Sequence, residues 1–194
     1  MYKKNKLEKF VVIMPMAGRG TRFKKHGYSV PKPLIKINNQ PMFMKSAMTF
    51  SRNFQWFFIA QKNLKYNQIF KKSINFFKHK KTIFLKKYTS GQASTVYKVI
   101  KFLRKDQIII VHSCDLKFKI NTKEIKRKIK KYDVIVITTK GKKFNFDNSN
   151  QFSWVRKNFK DKNVEISLKK NFKNSKRKNR VLVGSFIFKN NEVL

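Results

Sequence analysis

Strand-length runs of continuously apolar residues recur along this chain and alternate with segments of helical periodicity. The runs are Phe10–Met14, Phe54–Ala60, Thr82–Leu85, Ile108–Val111 and Val134–Ile137. Strands that are apolar on both faces are typical of a parallel sheet covered on both sides. The alternation of such strands with helices therefore predicts an α/β fold built on a mainly parallel sheet.

Helices are predicted between these runs, and a different pattern is predicted near the C-terminus. The predicted helices cover Met42–Phe50, Leu64–Phe77 and Ala93–Leu103, with another around Ile125 and Ile129 after the cap candidates Asn121 and Thr122. Beyond Lys140, no helical pattern separates Phe152–Val155, Val164–Leu168 and Val181–Phe188, so we expect antiparallel strands there. With 194 residues and no linker, the chain is expected to form a single domain over residues 1–194.

The charge of the chain is extreme, because 48 Lys and Arg residues face only 9 Asp and Glu residues, a net charge of +39. Such a surface attracts polyanions, including nucleic acid. The lysines are nevertheless spread over the whole chain beside abundant Asn, Phe and Ile, a mixture that an AT-rich genome produces without selection for a partner. The charge alone therefore does not lead us to expect nucleic-acid binding.

Other features of composition exclude several classes of protein. Hydrophobic residues make up 41% and aromatic residues 14% of the chain, which is too apolar for intrinsic disorder. No apolar run reaches the roughly 18 residues of a membrane span. The N-terminus does not resemble a signal peptide. The single cysteine, Cys114, excludes an internal disulfide, and we expect a cytoplasmic protein.

The loop after the first predicted strand carries residues suited to phosphate. Gly18 and Gly20 allow the backbone to approach a ligand closely, Thr21 offers a hydroxyl, and Arg22 offers a planar cation. Ligands of α/β sheets bind at the carboxyl ends of strands, where this loop lies. A tight glycine turn with a surface arginine is the alternative reading of these residues alone.

A second element follows shortly afterwards, where Lys32 stands between Pro31 and Pro33. Each proline fixes its own φ and restricts the residue before it, so Lys32 is expected on a stiff segment. A rigidly held cation near a phosphate loop favours a catalytic or binding role. An ordinary proline-rich turn with an exposed lysine is the alternative.

Together these elements resemble the opening motif of the sugar nucleotidyltransferases, also called nucleoside-diphosphate-sugar pyrophosphorylases. The matching stretches are Met16-Ala17-Gly18-Arg19-Gly20-Thr21-Arg22-Phe23 and Gly27-Tyr28-Ser29-Val30-Pro31-Lys32-Pro33-Leu34. The bacterial members of polysaccharide pathways are especially similar. The resemblance implies a Rossmann-like, GT-A-like three-layer fold. It also implies an Mg²⁺-dependent enzyme that joins a nucleoside triphosphate to a sugar 1-phosphate and releases pyrophosphate.

The resemblance also implies roles for individual residues. Arg22 and Lys32 would be catalytic cations; Ala17, Gly18, Gly20, Thr21, Gly91 and Gln92 would bind the nucleotide; Lys169 and Gly184 would meet the sugar phosphate; and Asp115 would hold Mg²⁺. Asp115 is the one carboxylate of nine that follows the carboxyl end of a predicted parallel strand near the phosphate loop. Cys114 is read as a packing residue, and His26, His79 and His112 as incidental.

Two departures from the family pattern keep other functions open. Leu168 stands where family members carry a Glu, and the second metal-binding Asp of the family falls beyond Leu194, so the domain is expected to lack its C-terminal part. A non-catalytic nucleotide or sugar-nucleotide binding module is one alternative, and a basic nucleic-acid-binding protein is another. A glycosyltransferase of similar fold lacks support, because Leu116 and Lys117 follow Asp115 where that class carries Asp-x-Asp. The motifs leave open the sugar, the base and the oligomeric state.

Overall fold

The computed structural model describes residues 9–140, 152–157, 164–168 and 179–194. The chain divides into two compact units, one formed by residues 1–135 together with 186–194 and the other by residues 136–185. In chain order, the elements up to residue 103 are β1 (Phe10–Met16), α1 (Thr21–Lys25), β2 (Lys36–Ile37), β3 (Gln40–Pro41), α2 (Met42–Ala47), β4 (Gln55–Gln61), α3 (Gln68–Ile74), β5 (His79–Leu85) and α4 (Gln92–Tyr97). The later elements are β6 (Ile108–His112), α5 (Thr122–Ile129), β7 (Val134–Lys140), β8 (Ser153–Lys157), β9 (Val164–Ser167) and β10 (Arg180–Phe188).

The first unit is built on parallel strands in the order β5-β4-β1-β6. The register pairs Ile13 of β1 with Val111 of β6, and Met16 of β1 with Ala60 of β4. All four strands consequently end at one edge of the sheet. The loops after β1, β5 and β6 are those in which the sequence predicts most of the site residues.

Apolar side chains cover both faces of this sheet, as the continuous apolar runs predict. On one face, Val96 of α4 and Val99, just after this helix, join a core with Val11, Ile13, Phe57, Ile59, Ile109 and Val111. On the other face, the ring of Phe43 from α2 lies 6.1 Å from Phe58 and 5.5 Å from Phe70 of α3. Trp56 is fully buried, with its ring 4.6 Å from Phe77. Helices therefore lie on both sides of the sheet.

The second unit contains antiparallel pairing, as expected for the C-terminal part of the chain. β8 pairs antiparallel with β9, and the start of β10 pairs antiparallel with β8. Trp154 of β8 is fully buried, and Arg156 donates a hydrogen bond of 2.5 Å to Glu165 of β9. The fold is thus a mixed α/β fold with a mostly parallel central sheet and antiparallel strands toward the C-terminus, which confirms the predicted fold class.

The helices differ from the sequence prediction mainly in length. The predicted helix over Ala93–Leu103 is α4 followed by a separate 3-10 helix over Ile100–Phe102. Branched and aromatic side chains from Val96 to Phe102 lower helix propensity, which accounts for the early end of α4. The predicted helix over Leu64–Phe77 is a 3-10 helix, Lys62–Leu64, followed by α3, which Asn67 caps through a 3.0 Å bond from Phe70 N.

Within the described part of the chain, no helix is both long enough and apolar enough to span a membrane.

Candidate functional site

The loop between β1 and α1 is fixed at both of its ends. Ala17 is buried, and its carbonyl oxygen accepts a 2.8 Å hydrogen bond from Gln61 Nε2 at the end of β4. Gly20 has φ 64°, a left-handed conformation that costs other residues free energy, and its carbonyl oxygen accepts a bond from Lys24 N. Gly18 is open, since a Cβ built on it would meet no atom within 4 Å. The loop therefore exposes its backbone at Gly18, while hydrogen bonds at Ala17 and Gly20 hold its ends in place.

Lys32 lies directly beside this loop. A Cβ built on Gly20 would lie 3.4 Å from Lys32 Cβ, so the two segments are nearly in contact. Lys32 opens a 3-10 helix after Pro31, whose buried residues Pro33 and Leu34 anchor the turn in the core. The Lys32 ammonium lies 5.3 Å from the centre of the Phe23 ring. The two prolines hold Lys32 against the loop, as the sequence predicts for a stiff segment.

The Lys32 ammonium donates a hydrogen bond to the Asp115 carboxylate, and Ser113 Oγ donates to the same carboxylate. The side chains of Lys32 and Asp115 are 23% and 36% exposed. Burial by itself would raise the pKa of Asp115, but the charge of Lys32 and the hydrogen bonds from Lys32 and Ser113 outweigh it and lower the pKa. Asp115 is therefore ionised near pH 7 and presents carboxylate oxygens at the strand edge.

The loop after β5 ends at Gly91, Gln92 opens α4, and this loop contacts the loop after β1. Arg19 Cζ lies 5.2 Å from the centre of the Tyr88 ring. The carbonyl oxygen of Gly91 accepts bonds from Thr95 N at 3.1 Å and Thr95 Oγ1 at 2.9 Å, which fix the turn into α4. Tyr88 and Gln92 line a cavity of about 900 Å³ within the first unit, together with Tyr97 and Phe186. The cavity offers aromatic faces next to polar groups, a combination suited to an organic ligand.

A buried polar pair behind Asp115 was missed by the sequence reasoning, which treated His112 as incidental. Ser46 of α2 is 2% exposed and His112 is 0% exposed. His112 Nε2 lies 2.9 Å from Ser46 Oγ, and Ser46 Oγ donates a 2.6 Å hydrogen bond to Ser113 O. Burial lowers the pKa of His112 to about 4, opposed by hydrogen bonds to the backbone of Ser46 and Leu116 and by the charge of Asp115. The imidazole is consequently neutral near pH 7.

Cys114 lies in the same loop and is buried, which agrees with the packing role predicted for it. Burial raises the pKa of its thiol to about 12, and the charge of Asp115 adds to this shift while that of Lys32 opposes it. The thiol is therefore uncharged and shielded from solvent.

No other carboxylate, cysteine or histidine was predicted to join Asp115, and among the described residues no group of three or more such side chains is placed to hold a metal ion.

The predicted site residues are thus distributed over three groups. Those brought to one edge of the first unit are Ala17, Gly18, Gly20, Thr21, Arg22, Lys32 and Asp115, with Gly91 and Gln92 in the neighbouring loop. Gly184 belongs to the second unit, where it has φ 72° within β10. Lys169 lies outside the described residues, whereas Leu168 is described and is 76% exposed.

A glycine-rich loop, a rigid lysine and a carboxylate at one edge of a parallel sheet prompt comparison with nucleotide-binding enzymes. The sequence model of nucleotidyl transferases matches residues 11–194. The chain belongs to the nucleotidyl transferase family. No match to its sequence was found among curated proteins.

Several solved structures share the fold of this nucleotidyl transferase. One is a nucleoside-diphosphate-sugar pyrophosphorylase from Vibrio cholerae RC9, with 21% identity, a TM-score of 0.69, and coverage of 93% of this chain and 74% of that chain. Another is a putative glucose-1-phosphate thymidylyltransferase from Bacillus anthracis, with 16% identity, a TM-score of 0.68, and coverage of 94% and 72%. A third is a UDP-glucose pyrophosphorylase complexed with UDP-glucose, with 17% identity, a TM-score of 0.64, and coverage of 92% and 75%. These likenesses show the fold.

Proposed function

We propose that this nucleotidyl transferase joins a nucleoside triphosphate to a sugar 1-phosphate, releases pyrophosphate and thereby makes a nucleotide-sugar for glycan or polysaccharide synthesis in the cytoplasm. The meeting of Gly20, Lys32 and Asp115 at one strand edge carries the proposal, because it combines open backbone, a rigid cation and a carboxylate. The solved structures of similar fold that bear the names of sugar-nucleotide pyrophosphorylases support it further. We regard residues 1–194 as part of a single nucleotidyltransferase domain.

In the proposed reaction, a phosphate oxygen of the sugar 1-phosphate attacks the α-phosphorus of the triphosphate. A new P–O bond forms, the bond from the α-phosphorus to the bridging oxygen breaks, and its electron pair leaves with pyrophosphate. No covalent intermediate with the protein is required, so positioning and neutralisation of charge supply the rate enhancement. The backbone of the loop from Ala17 to Thr21 would hold the triphosphate. Arg22 and Lys32 would offset the negative charge that develops on it.

Asp115 fits a divalent cation of the Mg²⁺ type. Its carboxylate is ionised and only partly exposed, and the Ser113 hydroxyl lies beside it. Mg²⁺ is commonly held by one or two carboxylates, with substrate phosphates and waters completing its shell. A single aspartate is therefore a sufficient protein contribution. Asp115 would hold the ion, which would supply neutralisation of phosphate charge, and Lys32 would pair with the phosphates of the substrate.

The remaining substrate contacts are assigned by position. We assign the nucleobase to the loop with Gly91 and Gln92, because an amide both donates and accepts hydrogen bonds and therefore suits a base edge. We assign the sugar phosphate to Lys169 and Gly184, as the family resemblance implies. Tyr88, which contacts Arg19 of the phosphate loop, would link the base and phosphate parts of the nucleotide site.

Leu168 favours a second candidate function, a nucleotide or sugar-nucleotide binding module without catalysis. The side chain is 76% exposed and apolar at the position where the resemblance predicts a glutamate for the sugar hydroxyls. A protein of this kind would bind a nucleoside triphosphate through the same loop without turning it over. The two candidates therefore differ in product formation and agree in nucleotide binding.

The proposed function is tested by following pyrophosphate release from a panel of nucleoside triphosphates and sugar 1-phosphates, with Mg²⁺ and with EDTA. We expect release with one pairing and Mg²⁺, and loss of release with EDTA and in Asp115→Asn. Binding of a triphosphate without release from any pairing would select the binding module. Absence of triphosphate binding by isothermal titration would overturn both candidates.

A further inference from the structure

Ser46 and His112 are buried polar residues directly behind the loop of residues 113–116 that carries Asp115. We propose that they are positioning residues, which hold this loop, and through it Asp115, in place at the strand edge. The inference rests on the proposed function for the role of Asp115. It concerns residues that belong to none of the motifs in the sequence.

The contacts tie both ends of the loop to the same pair of side chains. At the start of the loop, Ser113 O accepts the 2.6 Å hydrogen bond from Ser46 Oγ. At its end, the backbone of Leu116 forms a hydrogen bond with the His112 imidazole. The two side chains also contact each other, because His112 Nε2 lies 2.9 Å from Ser46 Oγ and 3.2 Å from Ser46 O. Asp115 lies between the two tethered residues.

The surrounding packing gives the pair a defined orientation. The His112 ring lies 5.0 Å from Phe50 and 5.6 Å from Phe118, in both cases edge to face. Ser46 lies on α2, which Phe43 anchors in the aromatic core on that face of the sheet. Polar groups buried among aromatic rings cost stability unless they are hydrogen-bonded. In this protein, the hydrogen bonds that offset the cost of burial connect Ser46 and His112 to the loop that carries Asp115. These hydrogen bonds can therefore fix the position of that carboxylate.

The test compares two variants with a matched control on the same strand. Ser46→Ala removes one oxygen atom, and His112→Phe keeps a ring of similar size without its nitrogens. The control is Gln107→Met. Gln107 is also 0% exposed and donates a 2.8 Å hydrogen bond to Gln55, but it lies just before β6, at the opposite end of the strand from His112. Loss of a buried hydrogen bond alone would affect all three variants similarly.

Cys114 supplies a direct reporter of the loop, because it is the one cysteine of the chain and is 5% exposed. Its reaction with Ellman's reagent is measured where circular dichroism shows each variant folded. We expect labelling at least about tenfold faster in Ser46→Ala and His112→Phe, because local opening of the loop exposes the thiol, and an unchanged rate in Gln107→Met. Affinity for Mn²⁺, measured by electron paramagnetic resonance with inorganic tripolyphosphate present, should fall roughly tenfold or more in the first two variants only.

Each outcome decides a separate point. Labelling rates equal to that of Gln107→Met would overturn the inference, and so would faster labelling with unchanged affinity for Mn²⁺. If Asp115→Asn binds Mn²⁺ as tightly as the unaltered protein, the proposed metal role of Asp115 fails, and Ser46 and His112 are judged on Cys114 labelling alone. If His112→Phe does not fold, Ser46→Ala decides.

Discussion

The ammonium of Lys32 donates a hydrogen bond to the carboxylate of Asp115, which lies 83 positions later in the sequence. Lys32 follows β1 and Asp115 follows β6, and these parallel neighbours end at the same edge of the sheet. Without a ligand, each charge is therefore satisfied by the other. In the proposed reaction, Lys32 would pair with a substrate phosphate and Asp115 would hold the metal.

Lys32→Met should lower the stability of the protein in a way that depends on pH. Because the pKa of Asp115 is lowered in the folded state, the stabilising effect is fully present above the ordinary aspartate pKa of about 3.9 and is lost as pH falls through the lowered value. We expect a loss of about 1 kcal/mol at pH 7 for this partly exposed pair, and a smaller difference as Asp115 becomes protonated at acidic pH. Urea unfolding of both proteins at several pH values measures this.

Lys128→Met serves as the control for that experiment. Lys128 pairs with Glu124 across one turn of α5, where both side chains are about half exposed. Its removal should have a smaller effect at pH 7 than removal of Lys32. An effect of Lys32→Met that stays constant from pH 7 to pH 2 would show that Lys32 stabilises the fold through packing and not through Asp115.

Arg22→Gln should lower turnover roughly tenfold or more while leaving the unfolding midpoint unchanged. Arg22 is exposed on α1 beside the glycine-rich loop, so its removal should affect charge at the proposed phosphate site and little packing. Lys25→Gln, at the other end of the same short helix, removes an equally exposed cation and should leave turnover within about twofold. Equal losses in both variants would mean that general positive charge, rather than Arg22, assists the reaction.

Alanine at Gly18 and at Gly20 should have different effects. Gly20→Ala forces a side chain into a left-handed conformation and against Lys32 Cβ, and should cost about 1–2 kcal/mol of stability. Gly18→Ala meets open space and should leave stability unchanged while weakening binding of inorganic tripolyphosphate. Thermal unfolding and isothermal titration of both variants separate the two effects. Unchanged tripolyphosphate binding in Gly18→Ala would remove this residue from the phosphate site.

Gln92→Ala should change the preference among nucleoside triphosphates about fivefold, which corresponds to the loss of one hydrogen bond, and should leave tripolyphosphate binding unaffected. Ser94→Ala, two residues later on α4, removes a hydroxyl that contacts Ser90 and serves as the control. Competition between triphosphates measures the preference. Equal weakening of nucleotide and tripolyphosphate binding would place Gln92 outside the base site.

The parallel strands were predictable because their cores are apolar on both faces, as β1 and β6 are. The ends of the strands were less predictable. The apolar run predicts that β5 starts at Thr82, but the strand begins at His79, because His79, Lys80 and Lys81 are exposed and give no apolar pattern. The helix α1 and the hairpin of β2 and β3 were not predicted. Each of these three elements contains five residues or fewer, which is too short to show a periodic apolar pattern.

The positions of the glycine-rich loop after β1, of Lys32 and of Asp115 were predictable because motif residues and strand ends locate them along the sequence. Their mutual contacts were not, since a pairing across 83 residues depends on the register of two strands. Ser46 and His112 gave no signal at all. A serine in a helix and a histidine at a strand end are ordinary residues until their burial and hydrogen bonds are known.

Each of the two units contains one of the chain's two tryptophans, Trp56 in the first and Trp154 in the second, and both are fully buried. The protein therefore carries a separate intrinsic fluorophore for each unit. Emission from Trp154→Phe reports on the surroundings of Trp56 in the first unit, and emission from Trp56→Phe reports on the surroundings of Trp154 in the second. Melting curves of these two variants would reveal directly whether the parallel sheet and the antiparallel strands lose their structure in one cooperative transition or in two.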